Sequence, residues 1–156
     1  MKRNSLIVTV VVACLVGVVP LTASAQNADP TARAQLLGAL KRQGKKVATL
    51  RVRYRCAPPA AGQQQALWVS AKQSKDGRRR NSLSKEGASK ASTTWLQSHR
   101  NPFTCDGSFH TATFRIDKVE KGSKGRLKKG RAYIQFCVTQ GEETLLLSKS
   151  GWVRVR

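Results

Sequence analysis

Between Leu50 and Cys56 the chain alternates without a break: Leu50, Val52, Tyr54 and Cys56 are separated by Arg51, Arg53 and Arg55. A period of two places the four on one side of an extended strand and the three guanidiniums on the other, whereas a helix would mix them around its circumference. Such a strand fits only a sheet with a core on one face and water on the other. The pattern recurs at Leu67, Val69 and Ala71, and at Ala112, Phe114 and Ile116 against Thr111, Thr113 and Arg115. It recurs again at Ala132, Ile134, Phe136 and Val138 against Tyr133, Gln135 and Cys137, and at Val153 and Val155 around Arg154. Turn formers stand between the runs: Pro58-Pro59, Asp76-Gly77, Asp106-Gly107, Lys129-Gly130 and Gln140-Gly141. Short strands punctuated in this way predict an all-β antiparallel sandwich. Residues 81–101, rich in Ser, Lys and Thr, predict a long loop carrying a poor edge strand.

The N-terminal segment has a different character. Lys2 and Arg3 precede an apolar run from Leu6 to Leu21, and Ala23-Ser24-Ala25 supplies a small-x-small site. These are the parts of an export signal, with cleavage expected after Ala25 and a mature start at Gln26. Val11-Val12-Ala13-Cys14 also has the outline of a lipoprotein box, which would lipidate Cys14 instead. The expected organisation is a signal peptide over 1–25, a flexible segment over 26–35 and one β-sandwich domain over 36–156, secreted without a transmembrane anchor.

The whole chain holds 29 Lys and Arg against eight Asp and Glu, for a net +21. Removing Lys2 and Arg3 leaves 27 against the same eight, a net +19. The mature chain keeps Cys56, Cys105 and Cys137, an odd number in an oxidising compartment, so one thiol is spare or bridges two chains. Spacings of 49 and 32 residues between them, with only His99 and His110 to help, do not form a zinc pattern. No cofactor motif is present. Neither histidine stands in a local catalytic signature, and carboxylates such as Asp106 fall where turn capping explains them, so an enzyme is not expected.

Residues 29–44 read two ways. Asp29-Pro30 followed by Leu36, Leu37 and Leu40 suits a helix, while Leu36 to Lys41 turning at Gln43-Gly44 suits the first arm of a hairpin. Three segments bear on the choice. Gly44 to Cys56, with its Tyr54-Arg55-Cys56, Cys105-Asp106-Gly107-Ser108-Phe109-His110, and Leu127 to Ala132 together resemble a pattern of small exported actinobacterial domains of unknown function. The resemblance implies an immunoglobulin-like sandwich of about seven strands, a strand at Leu36–Lys41, and a disulfide between Cys56 and Cys105. It implies no activity. Strand parity agrees on the pairing, since Cys56 shares its strand's inward face and Cys137 lies opposite Ile134 and Phe136. The spacing of Cys56, Trp68 and Cys137 echoes the immunoglobulin Cys-Trp-Cys arrangement and keeps a Cys56–Cys137 bridge as the alternative. Cys137, if exposed, allows either a monomer or a thiol-linked dimer.

The basic residues fall in three clusters: Lys41 to Arg55, Lys75 to Arg80 and Lys118 to Arg131. Clustered cations suit an anionic polymer, because each neutralised phosphate or sulfate releases counterions. Teichoic acid, an acidic polysaccharide, extracellular nucleic acid or an anionic membrane surface would each qualify, although no nucleic-acid-binding motif is present. Arg78, Arg79 and Arg80, with Lys128, Lys129 and Arg131, are the candidate contacts, provided that the two segments meet. The competing expectation is a soluble exported domain with no dedicated site. The glycines of Lys118 to Gly130 predict a mobile hairpin tip, with no Walker pattern. Trp68, Trp95 and Trp152 are either stacking platforms for bases or sugars, or caps on the ends of the core.

Overall fold

A computed structural model describes residues 30–84, 94–141 and 144–156. The expected signal peptide and the start of the flexible segment lie outside the described residues. The described chain is all β: β1 (Arg33–Arg42), β2 (Ala48–Arg55), β3 (Gln65–Gln73), β4 (Thr94–Ser98), β5 (His110–Ile116), β6 (Lys118–Val119), β7 (Gly130–Gln140) and β8 (Thr144–Val155). A short 3-10 turn, Asn81–Ser84, precedes β4. The strands form one sheet in the order β5-β2-β1-β8-β7-β3-β4-β6.

Three expectations need correction. There are eight strands among the described residues rather than about seven, the extra one being the two-residue β6 against β4. The sheet is mixed rather than antiparallel, because β1 meets β8 in parallel at Leu40 and Val155. The first strand starts at Arg33, so Arg33, Ala34 and Gln35 belong to the sheet and not to a flexible segment.

That β1 is a strand follows from what its leucines do around Gly38. Up to Leu37 it pairs with β2, Arg33 opposite Arg55 and Leu37 opposite Arg51. Gly38 takes φ of 72°, a conformation that glycine adopts without steric cost. The register shifts there and resumes at Lys41 opposite Thr49. The kink turns Leu40 fully into the core and brings it to β8. Hydrogen bonds from Arg42 N to Arg156 O and from Arg156 N to Leu40 O, both 3.0 Å, stitch the junction.

The sheet curls over on itself. Phe114 of β5 and Phe136 of β7 are four places apart in the strand order, which in a flat sheet would separate them by about 19 Å. Their ring centroids are 5.2 Å apart, and Tyr54 stands 5.8 Å from each. Around these rings Leu50, Val52 and Ile116 meet Leu67, Val69, Ile134 and Val138 in one core. The Tyr54 hydroxyl is not stranded in it, because it accepts the Thr104 amide at 3.1 Å.

Residues 118–130 also depart from expectation. Leu127 is buried in the core, and its amide reaches Lys45 O at 3.2 Å. Thr94 Oγ1 donates to Arg126 O at 2.7 Å, and Ser123 Oγ accepts the Trp95 amide at 2.6 Å. One apolar anchor in a polar, glycine-rich run makes the segment a fastened connection rather than a hairpin tip.

Candidate functional site: a basic corner where a turn docks on β7

Gln73, at the end of β3 and only 1% exposed, fastens the chain that enters β7. Its side-chain amide donates to Lys128 O at 2.9 Å and to Arg131 O at 3.3 Å, while its oxygen accepts the Lys128 amide at 2.8 Å. The next turn docks beside it. Gly77 O accepts the Arg131 amide at 2.7 Å, and a Cβ on Gly130 would stand 2.4 Å from that same oxygen. Two glycines therefore let two backbones touch, and the contact joins Arg78–Arg80 to Lys128, Lys129 and Arg131. The two candidate triplets meet at one corner of the sheet.

Within the turn, Ser74 Oγ lies 2.7 Å from both Asp76 Oδ1 and the Arg78 carbonyl, and the Arg78 amide donates to Asp76 Oδ1 at 3.1 Å. Arg80 Nη2 meets Asp76 Oδ2 at 2.6 Å. The Arg80 guanidinium, then the Ser74 hydroxyl and the Arg78 amide, hold the Asp76 carboxyl well below the usual carboxylate range, and Asp76 in turn raises Arg80. Arg80 is thus partly neutralised, and Leu83, fully buried just beyond it, anchors the far end of the turn. Arg79 leaves the turn in another direction, its guanidinium 5.5 Å from the centre of the Trp152 ring.

The floor of the corner comes from the β7–β8 hairpin. Arg131 stands opposite Arg154, and the next outward pair is Tyr133 opposite Trp152, rings 5.4 Å apart and edge to face. Like charges facing each other across a ladder are unfavourable, and both arginines are exposed. Beside them Lys129, Gly130, Arg154, Val155 and Arg156 line a depression of about 530 Å³. Arg42 joins from β1, donating through Nε to Arg156 O at 3.3 Å and through Nη1 to Leu127 O at 3.4 Å. Sequence reasoning does not bring Arg42, Trp152, Arg154 and Arg156 to this place. The alternation about Arg154 is visible in the sequence, but its position opposite Arg131 needs the hairpin register, which an irregularity at Val138/Thr139 shifts.

The described carboxylates are mostly engaged away from the corner. Asp106 bonds to His110 at 2.8 Å and to the Ser108 amide at 2.8 Å, and these contacts lower its pKa. Asp117 takes Arg115 at 2.8 Å, and Glu120 takes the Gln97 amide. Only Asp76, already committed to Arg80, contacts the corner from among the described acids.

A second set of cations lies on the outward face of β2. Arg51, Arg53 and Arg55 point there, and Phe109, 50% exposed, sits 4.4 Å from the Arg53 guanidinium and 5.9 Å from that of Arg55. A groove of about 590 Å³ over Leu37, Thr49, Arg51 and Thr113 reaches Arg156 as well.

Cys56 and Cys105 are disulfide-bonded, Cα atoms 4.9 Å apart. Gly107 N donates to Cys56 O at 2.9 Å across the bridge. Cys137 is a free, half-buried thiol on the outward face, 3.7 Å from Ser148 Oγ; burial raises its pKa and the Ser148 contact opposes this. The tryptophans share that outward face and do not cap the core ends. Trp68 donates to Gln97 Oε1 at 2.7 Å, and the Lys72 ammonium lies 4.4 Å from the Trp95 ring centre.

Compared with known proteins, the chain matches no family model and no curated protein.

Proposed function

We propose that this protein is an exported binding module that holds an anionic polymer at the basic corner. The observation that carries the reading is the facing pair Arg131 and Arg154 with the Arg78–Arg80 turn locked beside it. An arrangement that costs stability in the free protein is relieved when anions bridge the guanidiniums. Guanidiniums pair with phosphate or sulfate oxygens in a two-pronged fork, which suits the corner to holding an anion. What supports the immunoglobulin-like reading that the resemblance to exported actinobacterial domains implies is the curl of the one sheet, which brings Phe114 of β5 onto Phe136 of β7 across the core.

The test is affinity for heparin, a teichoic acid and duplex DNA at several salt concentrations. On duplex DNA each phosphate contact contributes about 0.9 log unit of affinity per decade of salt. Replacing Lys128, Lys129 and Arg131 by Ser should flatten the slope by about three contacts. Replacing Arg78, Arg79 and Arg80 should remove about two, because Arg80 already has Asp76. The same change at Arg51, Arg53 and Arg55 should have the smallest effect. Equal losses from all three triplets would mean that net charge alone attracts the polymer, as expected of a soluble secreted protein with no dedicated site.

A further inference from the structure

Next to the facing arginines, one step along the same outward face, lies an aromatic pair. Trp152 is half-buried, its edge-to-face contact with Tyr133 fixes its orientation, and Arg79 covers its ring from the turn. Same-face rows on a strand are about 7 Å apart, a reach on the scale of one nucleotide. The cations that can serve here are mostly arginines, whose planar guanidiniums pair with phosphate oxygens in a fork and also stack on aromatic rings. A charge row, a π surface beside it and a movable guanidinium over that surface match a polymer that alternates phosphates with flat rings. We infer that the anionic polymer is single-stranded nucleic acid, one base stacking on Trp152 while the adjoining phosphates meet Arg131 and Arg154.

This rests on the corner being the binding surface and adds the ligand class. A duplex keeps its bases inside, so their faces would not reach Trp152, and a single strand leaves them free to stack. The base enters between indole and guanidinium. Arg79 is exposed on a turn, and a rotamer change lifts its head away from the ring. Stacking tolerates any base, so the recognition carries no sequence preference.

The experiment compares a ten-nucleotide oligothymidylate with an abasic oligomer carrying the same number of phosphates, and with heparin. Wild-type protein should bind the oligothymidylate roughly 5- to 150-fold more tightly than the abasic chain, the range for one stacked base. Saturation should quench part of the tryptophan fluorescence. Trp152→Ala should abolish both the preference and the quenching, so that the variant binds the oligothymidylate no more tightly than the abasic chain. Trp152→Phe should keep part of the preference. Because the first comparison uses wild-type protein, it decides the matter even if Trp152→Ala does not fold. Equal affinity for oligothymidylate and abasic oligomer overturns the nucleic-acid assignment and leaves the basic corner intact. Heparin binding that weakens in Trp152→Ala, without a base preference in wild type, overturns it in favour of a sulfated polysaccharide. If Arg131→Ser/Arg154→Ser binds all three probes as wild type does, the corner itself is wrong.

Discussion

The contact between Gly77 and Gly130 makes a demanding prediction. Gly130 has φ of 139°, a region that costs a residue with a side chain about 1–3 kcal/mol. In Gly130→Ala the new methyl group would also lie 2.4 Å from Gly77 O and 3.1 Å from both Gly77 C and Gly77 Cα. Those are backbone atoms that no rotamer change removes, so overpacking adds about 1–3 kcal/mol. If the turn backs away instead, the 2.7 Å bond from Arg131 N to Gly77 O is lost, at about 1 kcal/mol. Strain with overpacking puts the loss at about 2–6 kcal/mol, and strain with the lost bond at about 2–4 kcal/mol, a large share of a small domain's stability. Gly62→Ala is the control. Gly62 has φ of 73°, and a methyl group there would meet nothing within 4 Å, so it should lose only about 1–2 kcal/mol through strain. Urea denaturation followed by tryptophan fluorescence reads both variants, and the Gly130→Ala midpoint should fall by on the order of 2 M. Below the transition, polyanion affinity should also weaken in Gly130→Ala and not in Gly62→Ala. Equal midpoints for the two variants would falsify the claim that backbone contact, rather than glycine conformation alone, joins the corner.

Two further outcomes are expected. Replacing both Cys56 and Cys105 by Ala should destabilise the fold by about 4 kcal/mol, from the entropy of an open loop of about 50 residues; calorimetry with and without reductant checks this, and an unchanged melting temperature would refute it. Cys137, its pKa raised by burial, should react slowly with iodoacetamide at pH 8 and faster only at higher pH than an unfolded thiol of pKa about 8.5. Because the fold favours the neutral thiol, the contribution of Cys137 is fully present below the unfolded pKa and declines as pH rises through the window up to the folded one. Labelling of native and urea-unfolded protein across that range, compared with Cys137→Ser, would show no difference if burial were unimportant.

The sheet is legible wherever the chain has one wet side and one dry side. β2 is the clearest case, since its arginines and core residues cannot exchange faces without exposing Leu50 and Val52. β1 is ambiguous in sequence because Leu36, Leu37 and Leu40 fit a helical stripe. Only the kink at Gly38, which depends on β8, shows why Leu40 points inward while Leu37 lies on the outer surface. β3 hides its pattern from Val69 to Gln73 because both sides are covered. Lys72, 2% exposed, passes for a surface residue until Trp95 is seen beneath its ammonium. At the corner, local sequence supplies the cations on the turn and before β7. It cannot place Arg154 or Trp152, which reach the site through pairing between strands, nor Gln73, whose burial is fixed by the chain that crosses it.

β8 is the last of the strands among the described residues, yet it occupies an interior place in the sheet, between β1 and β7. Without it, strand pairing would leave two ribbons, β5-β2-β1 and β7-β3-β4-β6, each with an inner edge of unpaired amides and carbonyls. During synthesis the ribbons therefore wait for β8 before they can unite. Such raw edges invite pairing with neighbouring chains. The abundant positive charge answers that hazard as well, since incomplete molecules of the same sign repel one another while they wait.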